Sequence, residues 1–261
     1  MKKFLLAEMS SRELREILRE TDTALLPVAS TEVLGEHGPL GADTFVADAV
    51  ARAVAERAGC VAAPTIPVGD AAELRFWPGT IWLDGELLAR VYLQICESLR
   101  RHGVRRILFL NTHLGNLRAV DRCGRELRRQ GVLAAQVDWW RVAFACAGDL
   151  VESTQSPTGH GGEILASVVL AVSPVPVDFG KASPEAPRPA AGFHAQGSAV
   201  GGGPFYTYPD FRDFTASGGW GDPSKATAEK GRVILERAVD RIVAFVGQLK
   251  NQALPETQPE V

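Results

Sequence analysis

Two kinds of apolar run alternate along this chain. Short, nearly continuous ones occupy residues 24–29 (ALLPVA), 61–68 (VAAPTIPV), 107–110 (ILFL) and 132–140 (VLAAQVDWW). Runs of that length predict strands buried on both faces, as in a parallel sheet. Longer amphipathic stretches at 11–20, 45–59, 83–102, 117–130, 163–171 and 226–249 predict helices. Local signals agree with these boundaries. A serine opens the first helix and Gly59 ends the second; Asp84 near the start of the third and Arg100, Arg101 and His102 near its end match the helix dipole. Strands alternating with helices predict an α/β fold with a mostly parallel sheet covered on both faces.

Between 172 and 219 the periodicity fades into a Pro-, Gly- and Ser-rich segment that includes the run GGGP at 201–204. A long irregular stretch inside a compact domain is usually functional or an oligomer contact. The expected organisation is one domain over 1–250, containing that segment, then a polar tail at 251–261 that frays. Of the 261 residues, 46% are hydrophobic, enough for a substantial core, and the formal net charge of -3 speaks against nucleic acid or an anionic membrane as partner. No window approaches the ~18 apolar residues of a membrane span. The first ten residues carry too short an apolar run for a signal peptide, so the cytoplasm is the expected compartment. Cys60, Cys96, Cys123 and Cys146 form no CxxC pair and are expected to be reduced structural residues.

The polar residues that bear chemistry gather where strands end. The run TEVLGEHGPLGAD at 31–43 follows the first strand and carries Glu32, Glu36, His37 and Asp43, all donors suited to a divalent metal. Its glycines and proline allow the tight turns that would bring them together. NTHLGN at 111–116 follows the 107–110 strand and carries His113; GHGGE at 159–163 opens a helix with His160 and Glu163. His102 and His194 are expected to be non-ligands. The His113 loop and the 159–163 turn each have a bland alternative as a structural histidine or a solvated glycine-rich turn. Their convergence instead suggests a mono- or dinuclear metal hydrolase.

At these residues the chain resembles the creatininase (creatinine amidohydrolase) family. Residues 29–43 align without gaps with the family pattern G-S-x-E-x-H-G-P-H-L-P-x-x-x-D. FWPGT at 76–80, NTHLGN at 111–116, GHGGE at 159–163 and WGDPSKATAEKG at 220–231 resemble four further family segments in the same order. The resemblance implies a three-layer α/β/α domain with a mostly parallel sheet, assembled as a homohexamer, with one or two divalent ions (Zn, Mn or Fe) at the C-terminal strand ends. Carried over by position, Glu32, Asp43 and His113 hold the first ion and Asp43 bridges to a second. Glu163 helps hold that second ion, and His160 is the catalytic proton shuttle. His37 matches a second histidine of the first motif and stands as an uncertain further ligand. Trp139 and Trp140 are candidate walls for a planar substrate, with a packed aromatic pair as the plain alternative.

The departures shape the functional expectation. Leu34 replaces a usual metal-ligand histidine, and Gly115 stands where creatinine-hydrolysing members carry a metal-binding glutamate. Leu74-Arg75 and Leu165-Ala166 replace other family residues, which implies a remodelled pocket. The expected activity is metal-dependent hydrolysis of a non-peptide C–N bond in a small molecule such as a cyclic amide, formamide or lactam, other than creatinine. Related alternatives are a peptidase acting on a short peptide precursor and a hydrolase of a cyclic ketone. The non-enzyme alternative is a catalytically weakened assembly or ligand-binding subunit, against which stand the five retained residues Glu32, Asp43, His113, His160 and Glu163.

Overall fold

The structure is a computed structural model that describes residues 3–188 and 210–257. His194 and the GGGP run lie outside the described residues. Four parallel strands form the sheet: β1 (Thr23–Val28), β2 (Val61–Ala62), β3 (Arg106–Asn111) and β4 (Leu133–Asp138), in the order β2-β1-β3-β4. The helices are α1 (Ser11–Ile17), α2 (Ala42–Ala58), α3 (Gly85–Arg101), α4 (Leu117–Arg129), α5 (Trp139–Cys146), α6 (Glu163–Val172), α7 (Phe211–Phe214) and α8 (Ala228–Asn251).

The period-2 alternation of the strands sorts the core into two faces. Leu25, Leu108 and Leu110 point to one side, where α2, α5, α6 and α8 cover them with Val50, Ala143, Val168 and Ile242. Ala24, Leu26, Ile107 and Phe109 point to the other, against Leu88, Tyr92 and Cys96 of α3 and Val120 and Leu127 of α4. All six residues of β1 are buried, which explains a strand that reads as a continuous apolar run. The result is the expected three-layer α/β/α arrangement, and all four cysteines are free and buried within it.

Several boundaries differ from the sequence expectation, each for a local reason. α2 starts at Ala42, three residues early, so Asp43 sits in its first turn, where a carboxylate meets the positive end of the helix dipole. β2 keeps only two residues, because Pro64 and Pro67 cannot donate to a ladder, and beyond it only an isolated bridge joins Val28 to Ile66. β4 stops at Asp138, and Trp139 and Trp140 open α5 instead of ending the strand. In the irregular segment the described residues include α7, whose Asp210–Asp213 capping box closes its N-terminus. The described part of the tail does not hang free: Arg106 donates to the Gln252 carbonyl and Arg128 to that of Glu256.

α6 and α8 cross closely at Gly231, where an added Cβ would stand 1.9 Å from the Ser167 carbonyl oxygen. Alanine gains about 1 kcal/mol of helix propensity over glycine, while forcing a methyl into a packed crossing costs roughly 1–3 kcal/mol. Gly231→Ala is therefore expected to lower the urea midpoint of unfolding despite better propensity; an unchanged or raised midpoint would show that the crossing yields.

Candidate metal centre

β1 and β3 are neighbours in register, Val28 opposite Asn111, so the chain leaving each strand emerges at the same edge of the sheet. The carboxyl ends of parallel strands are where α/β folds place their chemistry. From β1 the chain passes through Ser30 to Glu32; from β3 it passes through Thr112 to His113. Thr112 extends the pairing by one step, its amide donating to the Val28 carbonyl at 3.0 Å. Its hydroxyl donates to the Asp43 carbonyl at 3.1 Å, which fixes the start of α2 against the same edge.

These elements bring Glu32, Asp43 and His113 together, with one ligating atom from each within 4.8 Å of the others. His113 Nδ1 stands 2.8 Å from Glu32 Oε2 and 3.6 Å from Asp43 Oδ2. The Ser30 hydroxyl lies 2.7 Å from Glu32 Oε2 and 2.8 Å from Asp43 Oδ2, tethering the two carboxylates through their facing oxygens. Glu32 and His113 are only 4% and 7% exposed.

The second layer of contacts suits a metal ligand. His113 Nε2 donates to the Asp70 carbonyl at 3.0 Å, which leaves Nδ1 as the ligating nitrogen. Asp70 is itself held, its amide donating to Asn116 Oδ1 while Asn116 Nδ2 donates to the Ala29 carbonyl. Gly69 permits this close approach: a Cβ there would lie 2.7 Å from the Ala29 oxygen and 3.0 Å from the His113 ring. Ser30 matches the serine of the first motif, but its role in joining the two carboxylates and the Asp70 carbonyl from a distant loop become visible only in three dimensions.

The charges are coupled. Burial works against both carboxylates, yet the His113 charge holds Glu32 below the ordinary carboxylate range. Burial, followed by the Glu32 charge, pushes Asp43 up to about 7. Burial alone would favour neutral His113, but the Glu32 charge and hydrogen bond, with the Asp43 charge, raise it to about 9. Protons thus occupy the positions a dication would take, and binding must release them.

His160 lies beside the cluster. Its Nε2 is 2.9 Å from the Val33 carbonyl and 3.8 Å from Glu32 Oε1. Phe211 meets the ring edge-on with centroids 5.5 Å apart, and Trp220 lies at 5.9 Å. The rings around His160 therefore come from the far C-terminal segment. Trp139 is 2% exposed and packed in the core, so it is not a substrate wall, and partly buried Trp140 follows it in the first turn of α5.

Two sequence-predicted ligands are not brought into the three-residue cluster. His37 is exposed on the turn that follows Leu34. Glu163 is 1% exposed, and its carboxylate accepts from the amides of Glu152 and Ser153 and from Lys230 Nζ at 2.7 Å. Those partners make it the anchor between the 152–153 turn and α8.

Two expectations follow from this geometry. Zinc or manganese affinity, measured by competition with a chelating dye, should fall about tenfold per pH unit between roughly 9 and 7, as the raised His113 pKa brings in one competing proton. Below about 7 the Asp43 proton joins and the slope should approach roughly a hundredfold per unit; a flat profile would contradict the coupling. Glu163→Gln should cost roughly 1–3 kcal/mol in urea unfolding, because charge-assisted hydrogen bonds from Lys230 and the 152–153 amides weaken while Lys230 keeps Glu152, and should leave metal affinity within about threefold of the parent.

The comparisons with known proteins agree with the geometry. The creatininase (creatinine amidohydrolase) family model matches residues 7–246. A protein named mycofactocin precursor peptide peptidase, from Mycobacterium ulcerans (strain Agy99), is 30% identical over 253 residues, covering 94% of this chain and 92% of its own. A creatinine amidohydrolase from Pseudomonas putida is 29% identical over 262 residues, covering 92% of this chain and 95% of its own. Among solved structures, one described as creatininase Mn superposes with a TM-score of 0.78 at 26% identity, covering 96% of this chain and 100% of that one. A variant creatininase described as the Zn-Zn type gives a TM-score of 0.76 at 25% identity, covering 97% and 100%. With its strand-end motifs matched over nearly the whole length and its fold shared, the chain belongs to the creatininase family.

Proposed function

We propose that this creatininase-family hydrolase is a metal-dependent amidohydrolase that cleaves a non-peptide C–N bond in a small molecule, a cyclic amide, formamide or lactam, rather than creatinine. The observation that carries the reading is the convergence of Glu32, Asp43 and His113 with His160 at their side. Two carboxylates and one imidazole, the imidazole oriented through its other nitrogen, fit a divalent ion such as zinc or manganese. Relatives named as Mn and Zn-Zn forms support the same class of ion. An ion held there supplies Lewis acidity, polarising a carbonyl and making water acidic enough to react near neutral pH.

The chain's own residues supply the rest. Ser30 holds the facing carboxylate oxygens of Glu32 and Asp43 in place, so neither must reorganise during reaction. His160 Nε2–H is satisfied by the Val33 carbonyl, which leaves Nδ1 to accept a proton and pass it to the departing nitrogen. Phe211 and Trp220 fix the plane of that ring. Gly115 leaves no side chain where creatinine-hydrolysing members have a glutamate, which supports a different substrate.

A second reading is favoured by the 30% identity to a relative named as a precursor peptide peptidase: the scissile bond is then a peptide bond in a short precursor peptide. The exposed apolar side chains Leu40, Phe76, Ile81, Trp82 and Leu87 offer surface for the homohexamer that the family implies. No helix among the described residues is long and apolar enough to cross a membrane, and four free cysteines support a reducing, cytoplasmic location.

The test is turnover of a panel of cyclic amides, lactams, N-formyl compounds, creatinine and short peptides by zinc- or manganese-loaded protein. Activity on the non-peptide amides should drop at least ~1,000-fold in Glu32→Gln and His113→Ala, and His160→Ala should lower kcat by about 10²–10⁴. Turnover confined to peptides favours the second reading, and turnover unaffected by all three substitutions removes the assignment.

A further inference from the structure

We infer that this site holds a single divalent ion, on Glu32, Asp43 and His113, and has no place for a second. The inference rests on the metal-hydrolase reading and concerns how this chain's own residues limit it. Charge comes first. Two carboxylates neutralise one dication, whereas two dications on the same pair would leave two uncompensated positive charges beside buried Glu32 and His113 and partly buried Asp43. A buried, unpaired charge is costly enough that sites avoid it or recruit further anions.

Leu34, Gly115 and Glu163, the motif positions expected to carry a second ion's donors, offer no free anion. Glu163 is already matched by Lys230 and two backbone amides. Pulling it toward an ion would break its pairing with Lys230 and leave the Glu152 and Ser153 amides without their acceptor. Leu34, two residues beyond Glu32, is 6% exposed and offers only hydrocarbon; the turn closes so tightly over it that a Cβ on Gly38 would lie 2.8 Å from the Leu34 Cβ. Gly115 is blocked by its own surroundings. A Cβ there would stand 2.0 Å from the Asp70 carbonyl oxygen and 2.6 Å from His113 Nε2. Any side chain at 115 would displace the carbonyl that orients His113, so a donor there would disturb the first ion to gain a second.

The test is metal stoichiometry on the intact protein. The chain is saturated with zinc, or separately manganese, dialysed against metal-free buffer, and measured by elemental mass spectrometry against protein concentration. The expected result is about one ion per chain, falling below about 0.2 in Glu32→Gln and in His113→Ala. The manganese form should give the electron paramagnetic resonance spectrum of an isolated ion. Two ions per chain, or the spectrum of an exchange-coupled pair, would overturn the single-ion inference and leave the hydrolase reading intact. No bound ion, or one that persists unchanged in both variants, would overturn the hydrolase reading along with it.

Discussion

The parallel pairing of β1 with β3 is the constraint on which the site depends. With Val28 opposite Asn111, both chains leave the sheet side by side, and the Thr112 amide carries the ladder one residue further onto the Val28 carbonyl. From there a short circuit of hydrogen bonds closes on itself. Asn116 holds the Ala29 carbonyl at the end of β1, then takes the Asp70 amide, and the Asp70 carbonyl takes His113 Nε2 at the end of β3. The imidazole is thereby aimed from both strand ends at once. A one-residue slip between the strands would exchange which side chains face each helical layer, so the apolar core on both faces enforces the same register that the ligands require.

That geometry also sets the electrostatics. Two carboxylates share one hydroxyl and one imidazole in a nearly closed setting, so they cannot ionise alike. His113 stabilises the Glu32 anion, while Asp43, facing that anion, keeps its proton to about pH 7. Neighbouring acids pushed apart in this way mark a site built for positive charge rather than a surface cluster, where solvent would screen the difference. The first-turn position of Asp43 in α2 adds the positive end of a helix dipole beneath it.

Much of this was legible in the sequence, and the failures have physical causes. Continuous apolar runs identified β1 and β3, because a strand buried on both faces has no polar positions to interrupt it, while β4 is only partly buried and admits Gln136. Glu32 and His113 were readable as strand-end donors for the same reason. Asp43 does join Glu32 and His113, but it reads as a loop residue, since Gly41 and Ala42 conceal a helix start that has no side-chain cap. The pair Trp139–Trp140 suits a strand by propensity, yet helical packing against α8 turns Trp139 into the core. Glu163 was matched to a motif whose chemistry depends on partners far away in sequence. Only the fold reveals that Lys230, 67 residues later, has taken its carboxylate.

The triad and the His160 imidazole are held by different parts of the chain, and this division separates the donors from the space around the imidazole. Glu32, Asp43 and His113 are fixed by strand ends and the first turn of α2, the most buried framework available. His160 instead sits on a glycine-rich turn that the 218–220 stretch clasps: Gly35 donates to the Gly218 carbonyl, and the Trp220 amide donates to that of His160. Phe211 and Trp220 then complete its walls, and Trp77, linked to the Ala216 carbonyl through Nε1, stands against Phe211. Replacing those aromatic residues would reshape the space beside the imidazole without altering any donor to the ion. Substitution there can therefore change what the imidazole faces while Glu32, Asp43 and His113 keep their places.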